Sequence, residues 1–168
     1  MKETPQQYTR RMLAYMKGKR PLVVQAATAN RLKHLIKNVS TAKMRRRPAP
    51  DKWSINEILA HLADSEIIIG FRLRLILGAP GSHIAAVDQD AAVRSGHYEK
   101  RNPRKSIEQF RVVREANLAL LKSLTPEQWT HYGIHSDRGQ ETIEHIVRLY
   151  AAHDLNHLQQ IEKVLARK

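Results

Sequence analysis

Apolar residues along this chain recur with the 3.6-residue period of an amphipathic α-helix, and no Val-, Ile- or Thr-rich run alternates with the period of a β-strand. The pattern predicts an all-α fold in which strands are not needed. A short amphipathic piece carries Tyr8, Met12 and Tyr15 and ends near Gly18. It predicts a short extra helix at the N-terminal end, ahead of the main helices.

Four longer helices are predicted after this piece, and together they fit a four-helix bundle. Proline at the first helical position marks the start of two of them. Ser54 and Glu57 have the spacing of a capping box, in which each side chain binds the backbone N–H of the other residue, and they mark the start of another. The predicted helices run from Pro21 to Val39, from Ser54 to about Leu77, from Pro103 to Leu124 and from about Gln140 to Ala166.

The segment from Ala79 to Asn102, between the second and third of these helices, is longer than the loops that compact domains usually contain. One helical turn is predicted within it, around Asp88 to Arg94. Connections of this length often form lids or binding loops, and the sequence does not distinguish the two. The whole pattern fits one domain over residues 1–168, because a chain of this length buries one core and rarely two.

Composition limits the chemistry. The chain contains no cysteine, so disulfides, zinc thiolates and cysteine nucleophiles are excluded, and a metal site must use nitrogen and oxygen ligands. A net charge of +13 favours an anionic partner: nucleic acid, acidic lipid or a small carboxylate-bearing substrate. Nucleic acid is disfavoured, because the basic residues are spread over most segments and the one dense cluster, Arg45 to Arg47, is short.

No segment has the apolar length of a signal-peptide core or of a membrane span, and residues 1–20 carry charges throughout. A cytoplasmic protein without a membrane partner is therefore expected.

Two histidines interrupt the apolar face of the last predicted helix. His153 and His157 lie about one helical turn apart, so both imidazoles can reach a common ion. An alternative is that one imidazole forms a hydrogen bond in the core while the other reaches solvent. Two neighbouring buried imidazoles without partners would be costly to desolvate, however, and a metal satisfies both at once.

His61 is the best candidate for a third ligand, because it shares the inward face of its helix with Ile58 and Ile68. Three nitrogen ligands from two helices form an open site, in which a coordination position remains for water or substrate. The sequence therefore predicts one divalent metal held by His61, His153 and His157.

Two carboxylates flank His61 on its helix. Glu57 lies one turn before it and Asp64 lies shortly after it, so either could orient the imidazole or act as a general base. We favour the capping role for Glu57, which leaves Asp64 as the candidate catalytic residue. His131 and His135 repeat the spacing of the histidine pair, but Gly133 between them favours a loop, from which His135 could still face the site.

The segment Lys52 to Glu66, KWSINEILAHLADSE, and the later segment His153 to Ile161, HDLNHLQQI, resemble the DinB-like family, which includes the YfiT-like metal-dependent hydrolases. The resemblance covers nearly the whole chain, because Arg72, residues 125–129 and residues 139–142 also fall in the order of the family. It implies a four-helix bundle with a metal-dependent activity.

In that family the three histidines of these motifs bind a divalent metal, often zinc or nickel, and the matching positions here are His61, His153 and His157. Characterised relatives are S-transferases or isomerases that use a low-molecular-weight thiol, and others are described as hydrolases. The resemblance thus implies a metal-dependent transferase or hydrolase with a small-molecule substrate and a homodimeric state. Asp64 could then accept the proton of the thiol or water.

Other residues and functions stay open at the level of sequence. Arg72 or Arg94 could hold carboxylates of the thiol, although Arg72 could equally form an ion pair within its helix. Two alternatives to an enzyme are a bundle that binds metal without catalysis and, less favoured, a basic protein that binds nucleic acid.

Overall fold

The structure, a computed structural model, describes residues 3–166 and is mostly helical, as the sequence predicts. The ends of the predicted domain, residues 1–2 and 167–168, lie outside this range. Helices α1, α2, α3 and α4 span Pro5–Ala14, Pro21–Leu35, Thr41–Arg45 and Ile55–Gly78. Helices α5, α6, α7 and α8 span Gln89–Ser95, Pro103–Ser123, Pro126–Thr130 and Ile143–Ala166.

Helices α2, α4, α6 and α8 form the four-helix bundle. Around the bundle, α4 packs against α6, α6 against α2, α2 against α8 and α8 against α4, while α1 packs on α8 as the predicted extra helix. Their starts follow the expected chemistry: Pro21 and Pro103 occupy first turns, and Ser54 caps α4 in a capping box with Glu57. None of the described helices combines the length and apolar character that a membrane crossing requires.

A small sheet accompanies the bundle, and the sequence analysis did not predict it. Strand β1, His83–Ile84, pairs in parallel with β2, Tyr132–His135, and β2 pairs antiparallel with β3, Gly139–Thr142. Because β3 occupies residues that the helical pattern assigned to the last helix, α8 begins at Ile143 and not at Gln140. A Cβ at Gly133 would lie 2.4 Å from the end of the Ile84 side chain, so any larger residue there would require Ile84 to move.

The long connection between α4 and α6 is ordered by its own elements. It contains β1, then α5, as predicted around residues 88–94, and then a 3₁₀ turn at Tyr98–Lys100. The side chain of Asn56, at the start of α4, donates hydrogen bonds to the backbone oxygens of Tyr98 and Glu99 at 2.8 and 3.1 Å. The connection is therefore fastened to the helix that carries His61.

A buried charge network joins all four helices of the bundle. Arg114 of α6 donates to Glu66 of α4 at 2.7 Å, to Asp154 of α8 at 2.7 Å and to the backbone oxygen of Gln25 of α2 at 3.0 Å. Asp154 also accepts from Thr28 of α2 at 3.0 Å. Arg114, Glu66 and Asp154 are each at most 3% exposed, so one guanidinium faces two carboxylates away from water, and burial raises the pKa of Asp154.

Candidate metal centre

His61 of α4 and His153 and His157 of α8 meet inside the bundle. The Nε2 atom of His153 lies 2.9 Å from Nε2 of His61 and 3.0 Å from Nε2 of His157. All three ligand atoms lie within 4.8 Å of one another, and the three side chains are buried. The structure thus brings together the three histidines that the helical spacing selected.

Burial keeps these imidazoles neutral, which is the state that binds a metal. Loss of solvent lowers the pKa of His61 to about 4. Burial, followed by the proximity of His61, lowers the pKa of His157 to about 3. Burial and the two neighbouring imidazoles hold the pKa of His153 well below its ordinary 6.5. At neutral pH the three rings therefore present lone pairs and no charge.

Without a cation, the three Nε2 atoms share few protons: Nε2 of His153 contacts both of its neighbours, and the Ser65 hydroxyl lies 3.4 Å from Nε2 of His61. The side-chain oxygen of Gln160 lies 3.0 Å from Nδ1 of His157, so His157 carries its proton on Nδ1 and leaves a lone pair on Nε2. One proton on Nε2 of His153 can serve only one of its two neighbours. Among the described residues, Nδ1 of His153 has no hydrogen-bond partner, so the polar contacts of that ring run through Nε2.

A divalent cation resolves this conflict, because it accepts all three lone pairs. Tetrahedral ligand bonds of ~2.0–2.1 Å place nitrogen ligands roughly 3.3 Å apart, slightly more than the 2.9 and 3.0 Å found here. Two of the three nitrogen separations therefore lie within a few tenths of an ångström of those around a zinc-like ion, and the third is at most 4.8 Å. With three protein ligands, a further coordination position would face the adjoining cavity.

Trp53, immediately before α4, packs against two of the three histidines. Its ring stacks on His157 at a centroid distance of 6.2 Å and an interplanar angle of 4°, and it is tilted on His61 at 4.9 Å. These contacts restrict rotation of both imidazoles. No spacing rule in the sequence connects Trp53 with His157, because the contact joins residues more than a hundred positions apart.

Asp64, the predicted catalytic residue, lies beside the histidines but is held by other groups. Its carboxylate accepts a hydrogen bond of 2.7 Å from the Tyr98 hydroxyl and one of 2.6 Å from Arg101. It lines the same cavity as His61, about one turn along α4. Asp64 therefore anchors the connection between α4 and α6, and its role as a base stays a prediction.

Glu57 has the capping role that the sequence analysis favoured. Its carboxylate accepts from the backbone N–H and the hydroxyl of Ser54, each at 2.8 Å, and pairs with Arg47. Its carboxylate is thus already engaged at the start of α4.

Two further histidines, His135 and His145, lie at different distances from the three-histidine cluster. His135 ends β2 and so lies on a strand, not in the predicted loop; it is buried and lines the cavity with His61 and His153. Burial lowers its pKa. His145 lies 3.7 Å from Glu141, away from the three-histidine cluster.

Two cavities meet at the cluster. The first, about 580 Å³, is lined by His61, His153, Asp64, Arg72 and His135 among others. The second, about 510 Å³, is lined by Trp53, His153, His157 and Gln160 among others. Since His153 lines both, both cavities adjoin the three-histidine cluster.

Comparison with known proteins agrees with this architecture. A sequence profile of the DinB superfamily matches residues 26–161, a range that contains all three histidines, and the chain belongs to that superfamily. Among solved structures, YfiT from Bacillus subtilis has the same fold: the TM-score is 0.82 at 22% sequence identity, over 88% of this chain and 85% of that one. YfiT is described as a probable metal-dependent hydrolase with an unusual four-helix bundle topology. No curated protein matches the sequence.

Proposed function

We propose that this protein is a metal-dependent enzyme that uses His61, His153 and His157 to hold one divalent ion, with zinc or nickel as the expected metal. The observation that carries the proposal is the convergence of three buried, neutral imidazoles on one point beside a cavity. A purely structural zinc site usually has four protein ligands, whereas three ligands leave a position for a reactant. The similarity to YfiT, a probable metal-dependent hydrolase, is consistent with it.

A divalent ion in this position would act as a Lewis acid and lower the pKa of a bound water or low-molecular-weight thiol. The residues of the chain supply the rest. Gln160 and Trp53 hold His157 in its ligating orientation. Asp64, about one turn from His61, is the proposed proton acceptor, and the cavity beside it is the proposed site of an electrophilic small-molecule substrate. The reaction would be transfer to the thiol or hydrolysis.

Elemental analysis of the protein purified without a metal-binding tag tests the ligand set. We expect about one zinc or nickel ion per chain, and loss of tight binding in His61→Ala and His153→Ala, since two imidazoles rarely hold such an ion alone. His145→Ala serves as the matched control and should keep the metal, because His145 lies outside the cluster. Equal metal content in all these variants would disprove the assignment.

A turnover assay of the metal-loaded protein then tests catalysis. Electrophilic substrates are offered with water alone and with several low-molecular-weight thiols, and His61→Ala is the inactive control. Metal-dependent turnover that His61→Ala lacks would establish an enzyme. Binding of the metal without turnover of any substrate class would favour a non-catalytic metal-binding bundle.

A further inference from the structure

Arg72 lies on the face of α4 that carries His61. The two residues are eleven positions apart, which is close to three full turns, so they share a face at about 16 Å along the axis. Ser65 and Ile68 lie between them on that face, and all four side chains line the first cavity. Helical side chains lean towards the N-terminal end, which brings the Arg72 guanidinium back towards His61. One wall of the cavity therefore runs from the histidine cluster to Arg72.

The charge of Arg72 is buried and has no carboxylate partner among the described residues. Arg72 is 8% exposed, and its guanidinium donates to the Tyr150 hydroxyl at 3.0 Å and to the backbone oxygen of Ala85 at 2.7 Å, which are both neutral acceptors. Most buried arginines pair with an acid because an uncompensated buried charge is costly. The prediction of an ion pair within its own helix is not what the structure shows.

The other two arginines that line this cavity are paired. Arg138 binds Glu141 through two hydrogen bonds of 2.6 and 2.8 Å, and Arg11 binds Glu3 through two of 2.8 Å. Arg94, the other candidate anchor from the sequence, is exposed on α5 and does not line the cavity. The unpaired positive charge of this cavity wall is therefore concentrated at Arg72.

Tyr150 extends the same subsite towards the histidines. It lies about one turn before His153 on α8, and its ring centroid is 5.8 Å from that of His153. Because Arg72 donates to its oxygen, the Tyr150 hydroxyl keeps its own proton for another acceptor. A guanidinium and a hydroxyl donor thus sit together at the cavity wall, the combination that recognises a carboxylate.

We infer that Arg72 and Tyr150 form an anion subsite that binds the carboxylate of a small substrate or cosubstrate whose reactive group lies at the three histidines. The subsite supplies the charge partner that Arg72 lacks in the protein. It rests on the proposed function only for the position of the reactive group, and it restricts the substrate class to small molecules with a carboxylate separated from the reactive atom by an extended chain.

Two matched probes test the inference on zinc-loaded protein: 6-mercaptohexanoate and 6-mercaptohexan-1-ol, which share a thiol for the metal and differ in the carboxylate. Zinc content is measured first in every variant. We expect calorimetry to show about tenfold tighter binding of the carboxylate, the size of one charge-assisted hydrogen bond. Arg72→Gln should remove this preference while binding of the alcohol is unchanged, and Arg94→Gln, which removes the same charge outside the cavity, should keep it.

Two further variants distinguish loss of the anion subsite from misfolding of the protein. Arg72→Lys should retain part of the preference, because it keeps the cation but loses the planar fork, and Tyr150→Phe should reduce it. Equal affinity of wild-type protein for both probes, or an unchanged preference in Arg72→Gln, would overturn the inference.

If the protein holds no zinc, the proposed function fails by that measurement alone. Hexanoate and hexan-1-ol on the metal-free protein then decide the role of Arg72. A preference for hexanoate that Arg72→Gln loses would sustain the subsite, and equal binding of the two would overturn it.

Discussion

At the scale of a single residue, the contacts of Asp64 are compatible with two roles: proton acceptor in the reaction, and anchor of the connection between α4 and α6. It lies beside His61 on the cavity wall, which suits a base, yet Tyr98 and Arg101 both donate to its carboxylate. A carboxylate held by two donors is a firm anchor for the segment that carries those donors. The two roles predict different values of kcat in variants of Asp64 and Tyr98.

Asp64→Asn should lower kcat by about 10²–10⁴-fold if the carboxylate accepts a proton in the reaction, because an amide cannot do so. Tyr98→Phe removes one of the two anchoring hydrogen bonds but leaves the carboxylate, so its kcat should change far less. Steady-state kinetics with a substrate from the turnover screen compares the two. Similar losses in both variants would assign Asp64 to anchoring alone.

The neutral histidines make the metal-free protein sensitive to acid. Burial lowers the pKa of His61 from 6.5 to about 4. Between these two pH values the imidazole is protonated in the unfolded chain and neutral in the folded chain. The free energy of unfolding should therefore fall between pH 6.5 and 4 by about 1.4 kcal/mol per pH unit for this residue. Above pH 6.5 the residue contributes no dependence on pH.

Chemical denaturation of the chelator-treated protein at several pH values measures this slope. His61→Ala lacks the group and should show a shallower slope than the wild type over the same range. Identical slopes would mean that His61 titrates normally in the folded state.

Residues that lie on one face of one helix can be recognised from the sequence, because their spacing is regular. The spacing of His153 and His157 pairs them within one helix, and His61 follows from the inward face of another helix and from the resemblance to the DinB-like family. The contact of Arg72 with Tyr150 joins residues 78 positions apart and depends on how two helices are packed. No pattern within either helix indicates that contact.

At the scale of elements, the connection between α4 and α6 is held by few but buried contacts. Asn56 is fully buried and donates to two backbone oxygens of that connection. The hydrogen bond to the Tyr98 oxygen is buried and the one to the Glu99 oxygen is partly buried, so loss of the donor leaves at least one carbonyl group with a desolvation cost.

Asn56→Ala should lower the free energy of unfolding by about 1–3 kcal/mol, the cost of buried carbonyl groups without donors. Amide hydrogen exchange should also become faster in the connection around Tyr98. Asn30→Ala, at an exposed position of α2, is the matched control and should change neither quantity. Unchanged exchange in Asn56→Ala would show that the connection is held by other contacts.

The helices were predictable and the strands were not, for a physical reason. Helices α4, α6 and α8 each extend over several turns, so their apolar period is repeated many times. Strands β1, β2 and β3 contain between two and four residues, too few for an alternating pattern to be recognised. The sheet forms because parts of the chain far apart in sequence come together, and this shortened the last predicted helix.

At the scale of the whole molecule, Arg114 links the bundle at its centre. Removal of this guanidinium would leave Glu66 and Asp154 as buried carboxylates without a counter-charge. No pattern in the sequence indicates this network, because its members lie on different helices and each resembles an ordinary surface charge in its local sequence.

Arg114→Met should lower the free energy of unfolding by about 3–5 kcal/mol at neutral pH, the usual cost of breaking a buried ion pair on one side. The loss should shrink at acid pH, because burial raises the pKa of Asp154 and its protonation removes one of the negative charges left without a partner. Arg111→Met is the control one turn away: its ion pairs with Glu108 and Glu115 are exposed, so its effect should be close to zero. Denaturant titrations of the two variants would refute the network if they gave equal losses.

The three histidines have a consequence for the lifetime of the folded chain. They join α4 to α8 through residues 92 positions apart, in a protein that has no cysteine for a disulfide. An ion bound there is a reversible cross-link, and at a thousand times its dissociation constant it adds about 4 kcal/mol to the stability. When the concentration of the free ion falls, the ion dissociates, the cross-link is lost and the unfolded fraction of the protein rises. The steady-state abundance of this protein would then report the metal status of its surroundings.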